Sequence, residues 1–412
     1  MWILRVPAQY PLDVNVILEV RKGASAFRIR HRPDGRRLSQ QVTNTEISTI
    51  MKPKNFFSSI GATVFSATLL IGCASNVSVQ SPDTTQLKPQ EPISAAARDT
   101  ALPSPTELQQ AVNEAYNKYK GLQEGENADY IPILATVPSE LFGVVIITKD
   151  GAVYEAGDTD FVFAIESTSK PFNLAMVMQE FGPEAILEKI GVEPTGMSFN
   201  SKLALELLPT RSVNPLVNAG AIAQVSMVTA NTEDERWDKV LANLSAFAGD
   251  DLKLMEEVFK SEYESSWSNR AIANMLYNYN RLYSDPEESM RVYTKQCSVG
   301  VNTKQLGFMG ATLANGGVNP KTGKRLLDEE HVPQLLAIML TAGFYDESGQ
   351  WSFTAGLPAK TGVGGGVVAV VPGEMAIAAF SPRLNKSGNS IRATKAITYI
   401  SKKFKLSIFD PR

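Results

Sequence analysis

The chain comprises 412 residues, 43% hydrophobic and 20% charged, the balance of a globular protein with ample material for a core. Of 40 basic and 43 acidic residues, residues 1–73 hold 10 and 4, so the remainder carries 30 against 39, a net charge of −9 that excludes nucleic acid as a partner. Two histidines, His31 and His331, and two cysteines, Cys73 and Cys297, are too few for a zinc centre with the usual ligands or for a disulfide framework.

In chain order, residues 1–50 carry Arg28, Arg30, Arg32, Arg36 and Arg37 with no clear element pattern. They read as a non-native or untranslated extension ahead of a true start at Met51, with a basic targeting arm as the alternative. Met51-Lys52-Pro53-Lys54, the apolar Phe56 to Ile71 and the ending Leu70-Ile71-Gly72-Cys73 have the layout of a secretory signal over 51–73. The ending resembles the bacterial lipobox, in which the cysteine is lipidated and becomes the first mature residue. A lipid anchor at Cys73 is therefore expected, placing the protein in the bacterial cell envelope, facing the periplasm or the exterior. The apolar stretch is too short and too rich in Ser, Thr and Gly to read as a membrane span. With Cys73 consumed, Cys297 is the one mature thiol and no intramolecular disulfide is expected. Residues 74–103 are rich in Ser, Thr, Pro and Gln and read as a flexible tether.

The folded domain is placed at 104–412. Ser104-Pro105-Thr106-Glu107 has capping-box spacing with proline at the first helical position, and Leu108, Val112, Ala115, Tyr116 and Tyr119 follow at helical intervals. Phe142 to Thr148 and Ala152 to Ala156 flank Lys149-Asp150-Gly151, predicting a β-hairpin. The apolar run Phe161 to Ile165 then leads into Ser167-Thr168-Ser169-Lys170, which Pro171 places at a helix start. Residues three apart share a helix face, so the Lys170 amine hangs beside the Ser167 hydroxyl and can take its proton, activating serine without histidine. At a helix start the Ser167 N–H is free to face a substrate, as half of an oxyanion hole. A Ser-His-Asp triad would have to use His331, whose charged stretch Asp328 to Pro333 reads as an ordinary helix start.

Ser-x-x-Lys by itself is weak, because a chain this rich in serine and lysine shows the spacing about once by chance. The second element is a Lys-Thr-Gly, which serine acyl-transfer enzymes of the β-lactamase type place on a strand facing the serine. Helical patterns dominate from about 172 to 340. Lys321-Thr322-Gly323 follows Asn315-Gly316-Gly317 and Asn319-Pro320 and reads as a turn. Lys360-Thr361-Gly362 instead precedes Val363, Gly364-Gly365-Gly366 and Val367 to Val371, a glycine-rich approach to a strand where a backbone must come close to something. Gly366 to Val371 and Met375 to Phe380 form a second predicted hairpin around Pro372-Gly373, and Ser390 to Phe404 a closing helix. The expected fold class is α+β, an α/β sandwich: an antiparallel sheet built from both termini, flanking helices, and a helical subdomain inserted over about 172–340.

This order of elements matches the serine β-lactamase and transpeptidase fold. From about Ala128 to Asn389 the chain resembles the serine-dependent glutaminases. The resemblance rests on Ala128-Asp129-Tyr130-Ile131-Pro132, Phe163-Ala164-Ile165-Glu166-Ser167, Phe199-Asn200-Ser201, Asn214 to Ile222, Ala311 to Gly317, Gly343-Phe344-Tyr345-Asp346, Gly356 to Val363 and Gly388-Asn389-Ser390. It implies hydrolysis of L-glutamine to L-glutamate and ammonia with Ser167 as nucleophile and Lys170 as its base. It further implies an oxyanion hole from the N–H groups of Ser167 and Val363, and substrate contacts from Asn218, Glu262, Asn269, Tyr293 and Tyr345, with Tyr130 lining the pocket. No metal or organic cofactor is implied, the expected assembly is a homodimer or homotetramer, and a cytoplasmic location, as in most relatives, is the alternative to the envelope.

Glutamine chemistry fits the same set, since a free zwitterion needs a carboxylate for its ammonium, met by Glu262, and neutral donors for its own carboxylate, met by Asn218, Asn269 and Tyr293. Taken singly, Asn218 reads as a loop residue, Glu262 as a solvated charge, and Tyr293 and Tyr345 as core aromatics. Only the joint pattern points to a site. The expected mechanism needs a neutral Lys170, lowered by burial and by a nearby Lys360 cation, with Tyr345 as a proton shuttle to the departing ammonia. Two positions depart from the family. Glu166 stands where glutamine is frequent and is expected to raise the Lys170 pKa, and Ser265-Ser266-Trp267-Ser268 replaces a small basic loop. The rival readings are a penicillin-recognising serine enzyme, with Ser212-Val213-Asn214 as its Ser-x-Asn motif, and a non-catalytic, lipid-anchored glutamine-binding protein.

Overall fold

The computed structural model describes residues 103–410 and, ahead of them, the backbone of three strands at 17–19, 27–30 and 39–42. The signal at 51–73 with Cys73, His31, and the tether up to residue 102 lie outside the described residues. The chain forms two compact units, Met1–Gln90 and Glu91–Arg412. In the first, β1 (Ile17–Glu19), β2 (Phe27–Arg30) and β3 (Ser39–Val42) make an antiparallel meander with Leu18 opposite Ile29 and Ile29 opposite Gln40. This corrects the expectation of no element pattern in residues 1–50: Phe27-Arg28-Ile29-Arg30 alternates apolar and basic residues with the period of a strand.

The second unit opens with α1 (Pro105–Tyr119), where Ser104 and Glu107 close the expected capping box and Leu108, Ala111, Val112 and Ala115 are buried. The hairpin β4 (Gly143–Thr148) and β5 (Val153–Gly157) follows, then β6 (Phe163–Ala164) and a 3-10 turn at Glu166–Ser169 that runs into α2 (Lys170–Phe181). The helical insertion comprises α3 (Pro183–Lys189), α4 (Lys202–Leu207), α5 (Asn218–Met227), α6 (Glu233–Ala248), α7 (Glu256–Ser265), α8 (Trp267–Asn278), α9 (Pro286–Cys297), α10 (Thr303–Ala314) and α11 (Val332–Ala342). Two short strands, β7 (Lys253–Leu254) and β8 (Val299–Val301), interrupt it. The chain closes with α12 (Ser348–Thr354), β9 (Ala359–Thr361), β10 (Gly366–Val371), β11 (Met375–Phe380) and α13 (Ile391–Phe404).

The main sheet has the order β5-β4-β11-β10-β9, antiparallel throughout, so strands from both ends of the unit pair, with Ile377 opposite both Ile146 and Ala369. Every residue of β4, β10 and β11 is buried, because helices cover both faces: α10 lies on one, and α1 and α13 on the other. Alternate residues feed separate cores. Val145, Ile147, Val368 and Ala376 face the helical insertion, whereas Val144, Ile146, Val367 and Ile377 pack with the first and last helices. This period-two division is why continuous apolar runs serve as central strands.

A second sheet, β6-β8-β7, has no forerunner in the sequence pattern, since strands of two or three residues are too short to show a period. It anchors the turn that follows β6, with the Ile165 N–H donating to the Val299 carbonyl at 2.8 Å. Lys321-Thr322-Gly323 is the expected turn, with Asn319 Oδ1 accepting from the Lys321 and Thr322 N–H groups at 2.9 and 3.0 Å. His331 ends a 3-10 turn ahead of α11, and its imidazole lies beside Glu330 at 3.9 Å.

Candidate active site

Ser167 sits in the 3-10 turn between β6 and α2, and its geometry is set by the residue before it. Glu166 has φ of +48°, a left-handed conformation unfavourable for a side-chain-bearing residue and held only when the surroundings enforce it. The turn is closed by the Thr168 N–H on the Ile165 carbonyl and by the Ser169 hydroxyl on the Glu166 carbonyl at 2.6 Å. Lys170, fully buried, donates from Nζ to Ser167 Oγ at 2.6 Å and to Asn218 Oδ1 at 2.8 Å. Asn218, at the start of the wholly buried α5, passes the chain on by donating from Nδ2 to Asn269 Oδ1 at 2.9 Å. Four expected residues from three helices and a turn thus share one hydrogen-bonded line.

The glycine-rich approach to β10 comes close to this same turn. A Cβ on Gly362 would lie 3.2 Å from the Ser167 nitrogen, and one on Gly364 would lie 2.3 Å from the Ala164 carbonyl oxygen. Only glycines let the backbone on either side of Val363 press against the turn, which brings the Val363 backbone alongside Ser167. Lys360, on β9, is fully buried and donates to the Thr361 and Gly343 carbonyls at 2.6 and 3.2 Å. Its Nζ also lies 4.2 Å from the centre of the Tyr345 ring.

Tyr345 is buried, has φ of +56°, and packs against Phe199 with ring centres 4.7 Å apart. Its hydroxyl donates to the Thr361 carbonyl at 3.3 Å and also bonds the Ser167 side chain. Tyr293, on α9, places its ring 5.7 Å from Lys170 Nζ. Glu262, on α7, and Glu166 are both buried, and Glu166 Oε1 and Glu262 Oε2 have no hydrogen-bond partner.

Burial governs the charges. It lowers the Lys170 ammonium to about 8, against the Cys297, Glu166 and Glu262 charges that pull it upward. Glu166 and Glu262 are pushed above the usual carboxylate range by burial, and Glu166 further by the charge of Glu262. Burial and the Lys170 charge push Lys360 itself far below the ordinary lysine range. Burial raises the Tyr130, Tyr293 and Tyr345 hydroxyls, so all three remain neutral donors.

The outer wall is a cleft of about 920 Å³ lined by Tyr130, Phe199, Val363, Arg383 and Lys386. Tyr130 is half exposed on this cleft, yet its hydroxyl feels the charges of Glu166 and Glu262, so it stands between cleft and buried pocket. A larger groove, about 1020 Å³, runs along α1, β5 and Tyr399 and contains neither Ser167 nor Lys170. Ser212 and Asn214 are spent elsewhere. The Ser212 hydroxyl donates to the Lys189 and Ile190 carbonyls at 3.0 and 2.9 Å, and Asn214 Nδ2 donates to the Val192 carbonyl at 2.7 Å.

Two neighbours of the pocket escaped the sequence reading. In the sequence Phe199 stands out only within the block Phe199-Asn200-Ser201, and Cys297 only as the one mature thiol. The available signal was spacing: Cys297 follows Tyr293 by four residues on α9 and so shares its face, and the two side chains are hydrogen-bonded. The assembled groups are those of acyl transfer: a serine hydroxyl bonded to a buried amine, backbone N–H groups alongside, and neutral tyrosine hydroxyls with a buried carboxylate to orient a small zwitterion.

Comparison with known proteins agrees with this chemistry. A family model described as Glutaminase matches residues 125–409. A glutaminase of Colwellia psychrerythraea is 49% identical over 302 residues, covering 73% of this chain and 97% of the relative. A glutaminase of Brucella suis biovar 1 is 52% identical over 288 residues, covering 70% and 91%. Among solved structures, one described as a probable glutaminase superposes with a TM-score of 0.74 at 48% identity, covering 75% of this chain and 100% of that one. A probable glutaminase of Bacillus subtilis gives 0.67 at 29% identity, covering 74% and 97%.

Proposed function

Because the chain belongs to the glutaminase family and has its serine β-lactamase-like α+β fold, we infer that it hydrolyses L-glutamine to L-glutamate and ammonia through an acyl-enzyme on Ser167. The observation that carries this mechanism is the 2.6 Å hydrogen bond from Lys170 to Ser167 Oγ. Neutral Lys170 takes the hydroxyl proton as Oγ attacks the side-chain amide carbon, and the Ser167 and Val363 N–H groups hold the developing oxyanion. The proton passes to the leaving nitrogen through Tyr345, whose hydroxyl bonds Ser167. Ammonia departs, and water then hydrolyses the glutamyl ester with Lys170 again as base. Glu262 receives the substrate ammonium, while Asn218, Asn269 and Tyr293 orient its carboxylate and Tyr130 closes the pocket toward the cleft.

The test is ammonia release from L-glutamine by the full chain, beside Ser167→Ala. Turnover that is lost in the variant supports the mechanism. Turnover that survives would move the nucleophile elsewhere, and glutamine binding without ammonia release would favour the binding-protein reading. The penicillin-recognising reading gains nothing from Ser212 and Asn214, whose side chains are committed to backbone carbonyls.

We further propose a lipid anchor at Cys73 in the bacterial envelope, supported by the basic, apolar and Leu-Ile-Gly-Cys order of 51–73. No helix among the described residues is long and apolar enough to cross a membrane. Palmitate incorporation in a bacterial host, lost in Cys73→Ser, is the expected result; an unlabelled protein in the cytosolic fraction would overturn it. The proposed assembly is a homodimer or homotetramer, to be read by light scattering.

A further inference from the structure

Beside the Ser167–Lys170 line lies a cluster to which the reaction assigns only part. Glu166 from the 3-10 turn, Glu262 from α7 and Cys297 from the end of α9 each bring one potential ligand atom within 4.8 Å of the other two. The three residues are 2%, 6% and 1% exposed, so this is no solvated acidic patch. Glu166 Oε1 and Glu262 Oε2 are buried without a hydrogen-bond partner, a state that costs free energy unless a ligand satisfies them. Proposed glutamine binding uses one carboxylate for one ammonium. It leaves the second carboxylate and the thiol without a task.

We propose that Glu166, Glu262 and Cys297 form an inhibitory site for a soft divalent cation that competes with the substrate ammonium. The donor set argues for softness: a thiolate selects against magnesium and calcium, which prefer all-oxygen shells. Cd²⁺ is a soft ion that takes thiolate together with carboxylate donors, and its thiolate bond absorbs in the ultraviolet, so it is the probe for this set. Binding forms a cadmium–sulfur bond as the Cys297 S–H bond breaks, with the proton passing to solvent. Each carboxylate donates a lone pair, any proton it held also leaves, and no electron is transferred. The Lys170 ammonium, whose charge acts on all three groups, opposes the cation, and burial favours the protonated carboxyls and thiol, so the ion must displace those protons to bind. The scarcity of histidine and cysteine argues against a resident zinc cofactor, and an inhibitory ion on two glutamates and one cysteine needs neither a second cysteine nor a histidine. Competition with glutamine rests on the reading of Glu262 as the ammonium's partner; binding itself does not.

The experiment titrates Cd²⁺ into the full chain carrying Cys73→Ser, so that Cys297 is the sole thiol, and follows both cadmium–thiolate charge-transfer absorbance and ammonia release. One equivalent of absorbance is expected, with a raised KM and unchanged kcat. Adding Cys297→Ser should leave cadmium-free activity in place, abolish the band and weaken inhibition more than roughly tenfold. Glu166→Gln, which keeps the thiol, should weaken the band and serves if Cys297→Ser fails to fold. Absence of the band, inhibition unchanged by Cys297→Ser, or equal inhibition by Mg²⁺ would overturn the site. A Cys297-dependent band with KM unchanged would overturn the competition and the assignment of the ammonium to Glu262, separately from the metal site.

Discussion

Lys170 takes a proton from Ser167 only when it is neutral, and burial brings its ammonium down to about 8. At pH 7 roughly one molecule in ten then has the amine free, so kcat/KM is expected to rise with pH through about 8 and level off above it. Glu166 pulls the Lys170 ammonium upward. Glu166→Gln removes that charge, and the midpoint of the pH profile should move to lower pH; an upward or absent shift would show that the two groups are not coupled. Tyr345→Phe removes the hydroxyl that bonds Ser167 while keeping the ring against Phe199. It should lower kcat by about 10²-fold or more with little change in KM, as steady-state kinetics would show.

At the scale of elements, the approach to β10 holds the serine turn in place by contact of main chain on main chain. Gly364→Ala puts a methyl 2.3 Å from the Ala164 carbonyl oxygen, so turn and strand must separate. Because a 1 Å displacement at a reacting centre costs about 10²-fold, activity should fall by that order while the far-ultraviolet circular dichroism of the variant stays that of the parent. The start of α13 depends on Arg392, fully buried, which donates to the Leu122 carbonyl at 2.8 Å, to the Glu140 carbonyl at 3.1 Å and to Glu140 Oε2 at 2.9 Å. Arg392→Ala leaves those carbonyls without their donor and opens a cavity. A loss of about 3 kcal/mol in chemical denaturation is expected.

Across the whole molecule, two carboxylates tie the C-terminal segments back to the N-terminal part of the domain. Glu114 on α1 meets Tyr399 and Lys403 of α13 at 2.7 and 2.5 Å, and Glu140 meets both Arg383 and Arg392 at 2.9 Å. These partners hold each carboxyl at about 2, below the ordinary 4.5. A carboxyl lowered on folding stabilises fully above its unfolded value, and that contribution fades as pH falls from 4.5 toward 2. The double variant Glu114→Gln, Glu140→Gln should therefore melt below the parent at pH 7 and converge with it near pH 2; equal melting temperatures at pH 7 would show the ties to be without effect.

The sequence by itself determined what depends on near neighbours. Ser104 and Glu107 close their capping box, Asp150-Gly151 turns the first hairpin, and Ser167 and Lys170 meet because three residues make nearly one helical turn. The sheet built from both ends followed from where the apolar runs fall. Only the tertiary structure decided the quantities that depend on what surrounds a group. Lys360 is pushed far below the ordinary lysine range, because burial and the Lys170 charge both oppose its ammonium. Phe199 reaches Tyr345, and Cys297 reaches Glu166 and Glu262, across spans of chain that no local period relates. The short strands β6, β7 and β8 form because their neighbours fix them. Local spacing sets which side chains share a face, whereas burial and charge are sums over everything packed around a site, and those sums exist only once the chain has folded.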